Sequence, residues 1–165
     1  MSTLRDIRAM LVQLIEGTAA GGVRMPAAGL FAVVGDDHLV QQADAADASP
    51  RPVYIEAGYA VGDQTIPSDV SGNYYWKARA IPIWVPYAYS PDDGPVGRDS
   101  VMDDDEDALE RALVEPMNLG PLVDGWGKSA WSCSRESAER DAEGVAAIRW
   151  LSAILTIAYR EDWET

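Results

Sequence analysis

Enzyme chemistry needs nucleophiles, bases or metal ligands in workable groups, and this chain is short of all three. His38 is the single histidine and Cys133 the single cysteine among 165 residues. A Ser-His-Asp or Cys-His arrangement would have to use His38. That residue stands beside Asp36-Asp37 at an expected turn, where a surface or structural role is the simpler reading. One histidine and one cysteine build no zinc site, and a lone cysteine forms no internal disulfide. The run Asp103-Asp104-Asp105-Glu106-Asp107-Ala108 invites a calcium reading. An EF-hand loop, however, requires alternate oxygen ligands, Gly at the sixth position and Glu at the twelfth. Here Ala108 holds the sixth position and the carboxylates are consecutive, so a solvated helix start is preferred. Gly21-Gly22-Val23-Arg24-Met25-Pro26 matches neither a Walker loop nor a dinucleotide fingerprint and reads as a loop. No carboxylate pair stands out by spacing. The expectation is a protein without catalytic residues, cofactor or metal.

The aromatic residues are the other group with something to offer. Six Trp and seven Tyr stand against one Phe. Trp and Tyr join apolar bulk to a polar tip and are enriched at protein interfaces. Trp76 and Trp84 fall on one face of an expected strand, as core or as contact residues. A carbohydrate-stacking surface is a third reading, although nothing spaces the rings for sugars.

The elements that must position these residues are legible from periodicity. Leu4, Ile7, Leu11, Leu14 and Ile15 make one apolar helical stripe, with Thr3 as a cap, Asp6 as its capping-box partner and Gly17 as a stop. Leu30–Val34 predicts a strand closed by a turn at Gly35-Asp36-Asp37, and Val53–Ala57 predicts a second. Residues 41–50 and 58–73 read as long loops. Tyr74–Tyr89 alternates as one long strand, with Lys77, Arg79, Ile81, Ile83, Val85 and Tyr87 on the face opposite Trp76 and Trp84. Pro82 and Pro86 lie four residues apart, so both missing N–H groups fall on one edge. The strand is therefore expected at a sheet edge or broken by bulges. After a turn-rich linker over 90–100, a second helix is expected with Asp103–Asp107 in its first turns, where the helix dipole favours acids. Leu109, Ala112 and Leu113 form its buried stripe, and Pro116 ends it. Lys128–Ser134 and Ala147–Tyr159 predict a closing hairpin around a charged turn at 135–144. The final strand has apolar residues on both faces and is expected centrally, buried on both sides. These elements make one α+β domain over residues 1–165, mainly an antiparallel sheet packed on two helices with long extended loops.

Charge excludes some partners. Thirteen Lys and Arg against 27 Asp and Glu leave −14 at pH 7, of which residues 1–100 carry 7 − 12 = −5 and residues 101–165 carry 6 − 15 = −9. Such a balance opposes binding to nucleic acid and to anionic membranes. No apolar run approaches the ~20 residues of a membrane span. The N-terminus is unlike a secretory signal, and synthesis in the cytoplasm is expected.

The order of elements resembles the tail terminator proteins, the lambda-type minor tail proteins of long-tailed bacterial and archaeal viruses. The opening Leu4-Arg5-Asp6-Ile7-Arg8-Ala9-Met10-Leu11-Val12 and the closing Ile154-Leu155-Thr156-Ile157-Ala158-Tyr159-Arg160-Glu161 carry the resemblance at the two ends. The resemblance implies a virion protein of the tail or neck. It forms a ring, commonly of six subunits, that caps the tail tube, stops its growth and joins tail to head. Its partners are then further copies of itself, the tail tube protein and a head-closure or neck protein, with DNA passing through unbound. Trp76, Trp84, Trp131 and Trp150 become candidate interface residues, and Asp103, Asp104, Asp105 and Asp107 a candidate acidic lumen. Another head–tail connector or adaptor, or a small-ligand or carbohydrate-binding domain, are the rival expectations.

Overall fold

Alternation of side chains along two sixteen-residue strands organises the molecule. A computed structural model of the chain describes residues 3–18, 30–37, 50–61, 66–67, 74–89, 95–114, 126–137 and 147–162. Its elements are α1 (Thr3–Glu16), β1 (Phe31–Gly35), β2 (Arg51–Ile55), β3 (Tyr59–Ala60), β4 (Ile66–Pro67), β5 (Tyr74–Tyr89), α2 (Pro95–Val114), β6 (Trp126–Ser137) and β7 (Ala147–Asp162). The strands form one seven-stranded sheet with spine β1-β2-β5-β7-β6, and β3 and β4 pair with β5 beside β2. Among the described strands only β1 and β2 run parallel. The fold is α+β, as the periodicities imply. No helix among the described residues is long and apolar enough to cross a membrane.

β5 and β7 pair antiparallel without interruption from Tyr74↔Asp162 to Tyr89↔Ala147. Period-2 geometry then puts all odd-numbered residues of both strands on one face. Ile81, Ile83, Val85, Tyr87, Leu151, Ala153, Leu155 and Ile157 are buried there. Both helices cover that face. Ile7, Leu11, Leu14 and Ile15 of α1, and Met102, Leu109 and Leu113 of α2, join the same core with Phe31 and Val53. Each such side chain, fully buried, contributes about 1.5–3 kcal/mol of hydrophobic stabilisation. α1 ends where Gly17 N–H donates to Gln13 O at 2.9 Å, and the buried Thr18 hydroxyl donates to Leu14 O at 2.6 Å.

Four expectations need correction. First, β5 is neither an edge strand nor bulged. Glu56 N–H donates to Pro82 O and Val61 N–H to Ala78 O, so even-numbered β5 residues turn their backbone toward β2 and β3. Both missing proline donors therefore fall on that side, and the β7 ladder loses nothing. The register Tyr54↔Trp84 would next bring Pro52 opposite Pro86, where neither could donate; the β2–β5 pairing stops at two residues. Second, residues 58–73 are not all loop, because β3 and β4 each add two residues to the same interrupted side. Third, α2 begins at Pro95, since proline suits the first helical position. No acidic residue lies in its first turn, and the Asp103–Asp107 run falls in the helix interior. Fourth, β7 is central but buried throughout on one face only, since on the other face Trp150 is buried while Ser152, Ile154, Thr156 and Ala158 keep partial exposure.

The closing hairpin is as expected, with β6 extended through Arg135 to Ser137. His38, most of the 41–50 loop, the segment around Pro116 and the rest of the charged turn lie outside the described residues.

Gly58 has φ +78°, and a Cβ there would meet Ala80 O at 2.4 Å. Gly58→Ala is expected to destabilise the protein by about 1–3 kcal/mol. Urea unfolding checks this, and an unchanged midpoint contradicts the close approach of this turn to β5.

Candidate functional site

The acidic run of α2 is divided by helical rotation. Each residue turns about 100° from the last, so consecutive carboxylates point in different directions. Asp105 falls in line with Met102, Ala108, Leu109 and Ala112 and is buried at 3% exposure. It cannot belong to an exposed acidic surface, which corrects its place in the lumen set. Tyr87 of β5 donates its hydroxyl to Asp105 Oδ2 at 2.6 Å. Arg51 of β2 brings Nε to 2.5 Å from the same oxygen and Nη2 to 3.5 Å from Oδ1. The Nε–H is not aligned for a hydrogen bond, so the pair is chiefly ionic. The guanidinium also lies 5.7 Å from the centre of the Tyr87 ring. Burial raises the Asp105 pKa, and the Tyr87 and Arg51 contacts offset this only in part. Burial, then the Asp105 charge, pushes the Tyr87 phenol far up, so it remains a donor. This triad fastens α2 to two strands.

The other carboxylates lie on two flanks of the helix. Asp103 and Glu106 both accept from Arg135 Nη2 of β6, at 2.6 and 2.9 Å. Cys133 lies beneath this flank, and its thiol is pushed up to about 12 by burial and by Glu106. Its thiolate is accordingly suppressed at neutral pH. Asp107 pairs with Arg111 one turn on at 3.4 Å, a surface contact of small energetic value. Asp103, Asp104, Glu106, Asp107 and Glu110 line an open hollow of about 380 Å³. Among the described residues no three acidic, histidine or cysteine side chains converge on a metal position.

The tryptophans separate as well. Trp84 and Trp150 meet edge-to-face at 6.0 Å and 89° on the sheet face opposite the helices, and Tyr54 meets Trp150 at 6.2 Å and 68°. Trp150 is 8% exposed, so it presents no open ring face on which a sugar could stack. Trp131 is on the helix-covered face, packed at the core margin. Trp76 stands in register with Arg160 and Ile66, and its side chain falls outside the described residues. Periodicity alone pairs Trp76 with Trp84. The sheet adds Trp150 and Tyr54 to Trp84 and removes Trp131. Sequence reasoning missed Arg51 and Tyr87 as partners of Asp105; the burial of Asp105, which it placed in the lumen, left a signal in its place within the Met102–Leu109–Leu113 stripe.

A second hollow, of about 410 Å³, opens between Arg8 and Val12 of α1, Val33, Gly35 and Asp36, and Ile55–Ala57. Arg8 and Arg79 both donate to the Ala57 carbonyl at its margin.

No protein-family model and no curated protein matches the chain.

Removing Asp105 leaves the Tyr87 hydroxyl buried without an acceptor. Asp105→Ala is expected to cost about 2–4 kcal/mol, and Asp105→Asn less, since its amide oxygen still accepts. Asp104→Ala is expected to leave the unfolding midpoint unchanged. The raised pKa sets the pH dependence: folded Asp105 binds its proton more tightly than unfolded Asp105. Its stability contribution is full below the ordinary value of 3.8 and falls as pH rises through the raised folded value. The stability of the parent chain relative to Asp105→Asn is therefore greater at pH 4 than at pH 8. Urea titrations at both pH values measure it, and an opposite slope would show the ion pair outweighing burial.

Proposed function

We propose that the chain is a ring-forming tail terminator of a long-tailed virus, which caps the tail tube, joins it to the head or neck and lets DNA pass through an acidic lumen. The observation that carries this reading is the order of elements: an opening amphipathic helix, a sheet, an acidic helix and a long closing hairpin. The arrangement of the sheet is compatible with assembly. Both helices pack on one face, while Ala130, Ser132, Ser134 and Glu136 on the other face of β6 are exposed. The lumen assignment narrows to the exposed Asp103, Asp104 and Asp107. Carboxylates there repel phosphate, so DNA slides without release of counterions from bound phosphates.

Native mass measurement and electron microscopy of the chain, alone and with tail tube protein, test the reading. Rings on the ends of tubes of limited length are expected. A strict monomer that neither forms rings nor binds tubes refutes it, and a ring that binds only a neck component points to a connector instead. A ring carrying Asp104→Lys with Asp107→Lys is expected to assemble normally and to retain DNA in a salt-dependent way, measured by filter binding from low to high salt.

A further inference from the structure

The two ends of the sheet are treated differently. At the β1 end, α1 sits against the strand, and the Val33 N–H donates to the Glu16 carboxylate at 3.3 Å. The β6 end has no such cover: among the described residues no strand pairs beyond it. Its backbone directions follow from those of β5. Even β5 residues face β2 and β3, so odd ones face β7, and the register Ile81↔Leu155 points odd β7 residues back at β5. Even β7 residues then face β6, and Thr156↔Ala130 points even β6 residues at β7. Trp131, Cys133 and Arg135 are left with N–H and C=O groups turned outward. Such an edge is a template for another strand unless charge, proline or a covering element blocks it. β6 contains no proline, and of its charged residues Lys128, Arg135 and Glu136, Arg135 is held by Asp103 and Glu106 of α2.

One flank of that edge is acidic. Rotation along α2 carries Asp103, Glu106 and Glu110 to the side above β6, where Arg135 bonds Asp103 and Glu106 and where Glu106 and Glu110 both act on Cys133. Three carboxylates face one guanidinium, and Glu110 has no ion-pair partner among the described residues. A second copy pairing β6 to β6 would bring two such acidic flanks together at the cost of like-charge repulsion. An added strand with Lys or Arg at alternate positions would instead set its cations beneath Glu106 and Glu110.

We propose that the open edge of β6 accepts an extended strand from a different protein, one with basic side chains on the face turned toward α2. Backbone hydrogen bonds to Trp131, Cys133 and Arg135 supply the affinity, and the α2 carboxylates select the strand. Asp103 and the hollow along α2 are shared with the carboxylates assigned to the lumen, but the strand-pairing groups lie on β6, so the inference holds whether or not the chain forms rings.

The test uses the full chain and a ten-residue peptide of alternating Val and Lys, with a Val–Glu peptide as control. Hydrogen exchange is read at single amides. In the free chain, Trp131, Cys133 and Arg135 amides exchange freely while Ser132 and Ser134 are protected by β7. The Val–Lys peptide is expected to protect the first three at least tenfold, and the Val–Glu peptide is not. Glu110→Lys, on the exposed face of α2, is expected to weaken binding at least fivefold in fluorescence anisotropy. Cys133→Pro, which removes one outward donor and leaves the β7 ladder whole, is expected to abolish it. Binding without protection of those amides, equal binding of both peptides, or no binding overturns the proposal. So does concentration-dependent protection of the chain by itself, which would make a second copy the occupant. Failed peptide binding with normal tube capping removes this inference alone, and peptide binding without rings or capping removes the ring reading alone.

Discussion

The unbroken antiparallel ladder between β5 and β7 is the constraint on which the rest of the structure depends. A strand with two prolines can run through a sheet interior only if both missing donors face the same side and that side tolerates gaps. The four-residue spacing of Pro82 and Pro86 meets the first condition. Three short strands, β2, β3 and β4, meet the second, because they pair with β5 only in pieces of about two residues. The complete ladder on the other side then assigns one face of both long strands to the helices. A slip of one residue would expose Ile81, Ile83, Leu155 and Ile157 and bury Ser152 and Thr156 in their place.

The second organising contact is electrostatic. α2 is polar around much of its circumference, and its apolar stripe is interrupted by Asp105. Burying a carboxylate is unfavourable unless it is paired and hydrogen-bonded. Arg51 and Tyr87 provide both and determine where the helix lies along the sheet. Replacement of such a triad by apolar residues is often neutral or stabilising in other proteins, whereas removal of one partner alone is costly. Arg135 adds a second, more exposed fastening on the β6 side. Together they turn Asp104 and Asp107 outward and set Glu106 and Glu110 above the strand edge.

The surfaces left over have different physical characters. The sheet face away from the helices has an aromatic group in which Tyr54 and Trp150 are buried and Trp84 is half-buried. The β6 edge offers directed backbone hydrogen bonds under a negative flank. The outer side of α2 offers negative charge alone. Strand pairing gives direction and register to a contact, and like charge keeps unwanted contacts apart. The one cysteine is held as a thiol beside two carboxylates.

Most of the elements were legible in the sequence, because their signals are local. Helical spacing from Leu4 to Ile15, period-2 alternation from Tyr74 to Tyr89 and the hairpin on either side of residue 140 are each carried by the residues of that element. The short strands β3 and β4 carry no periodic signal, since two residues form a strand only when β5 offers a partner. Helix α2 hides its start, because Pro95 reads as a turn residue as readily as a first helical one. The candidate surfaces were legible only as composition: acids near 105, tryptophans along the strands. Which acid is buried, and which tryptophans meet, follows from contacts between residues far apart in the chain, such as Arg51, Tyr87 and Asp105. Residue types and spacing therefore determined the kinds of element and the scarcity of catalytic groups. Tertiary pairing alone decided which backbone groups of β6 turn outward and the orientation of the acidic helix, because both are set by strand register and by a buried ion pair that no local pattern encodes.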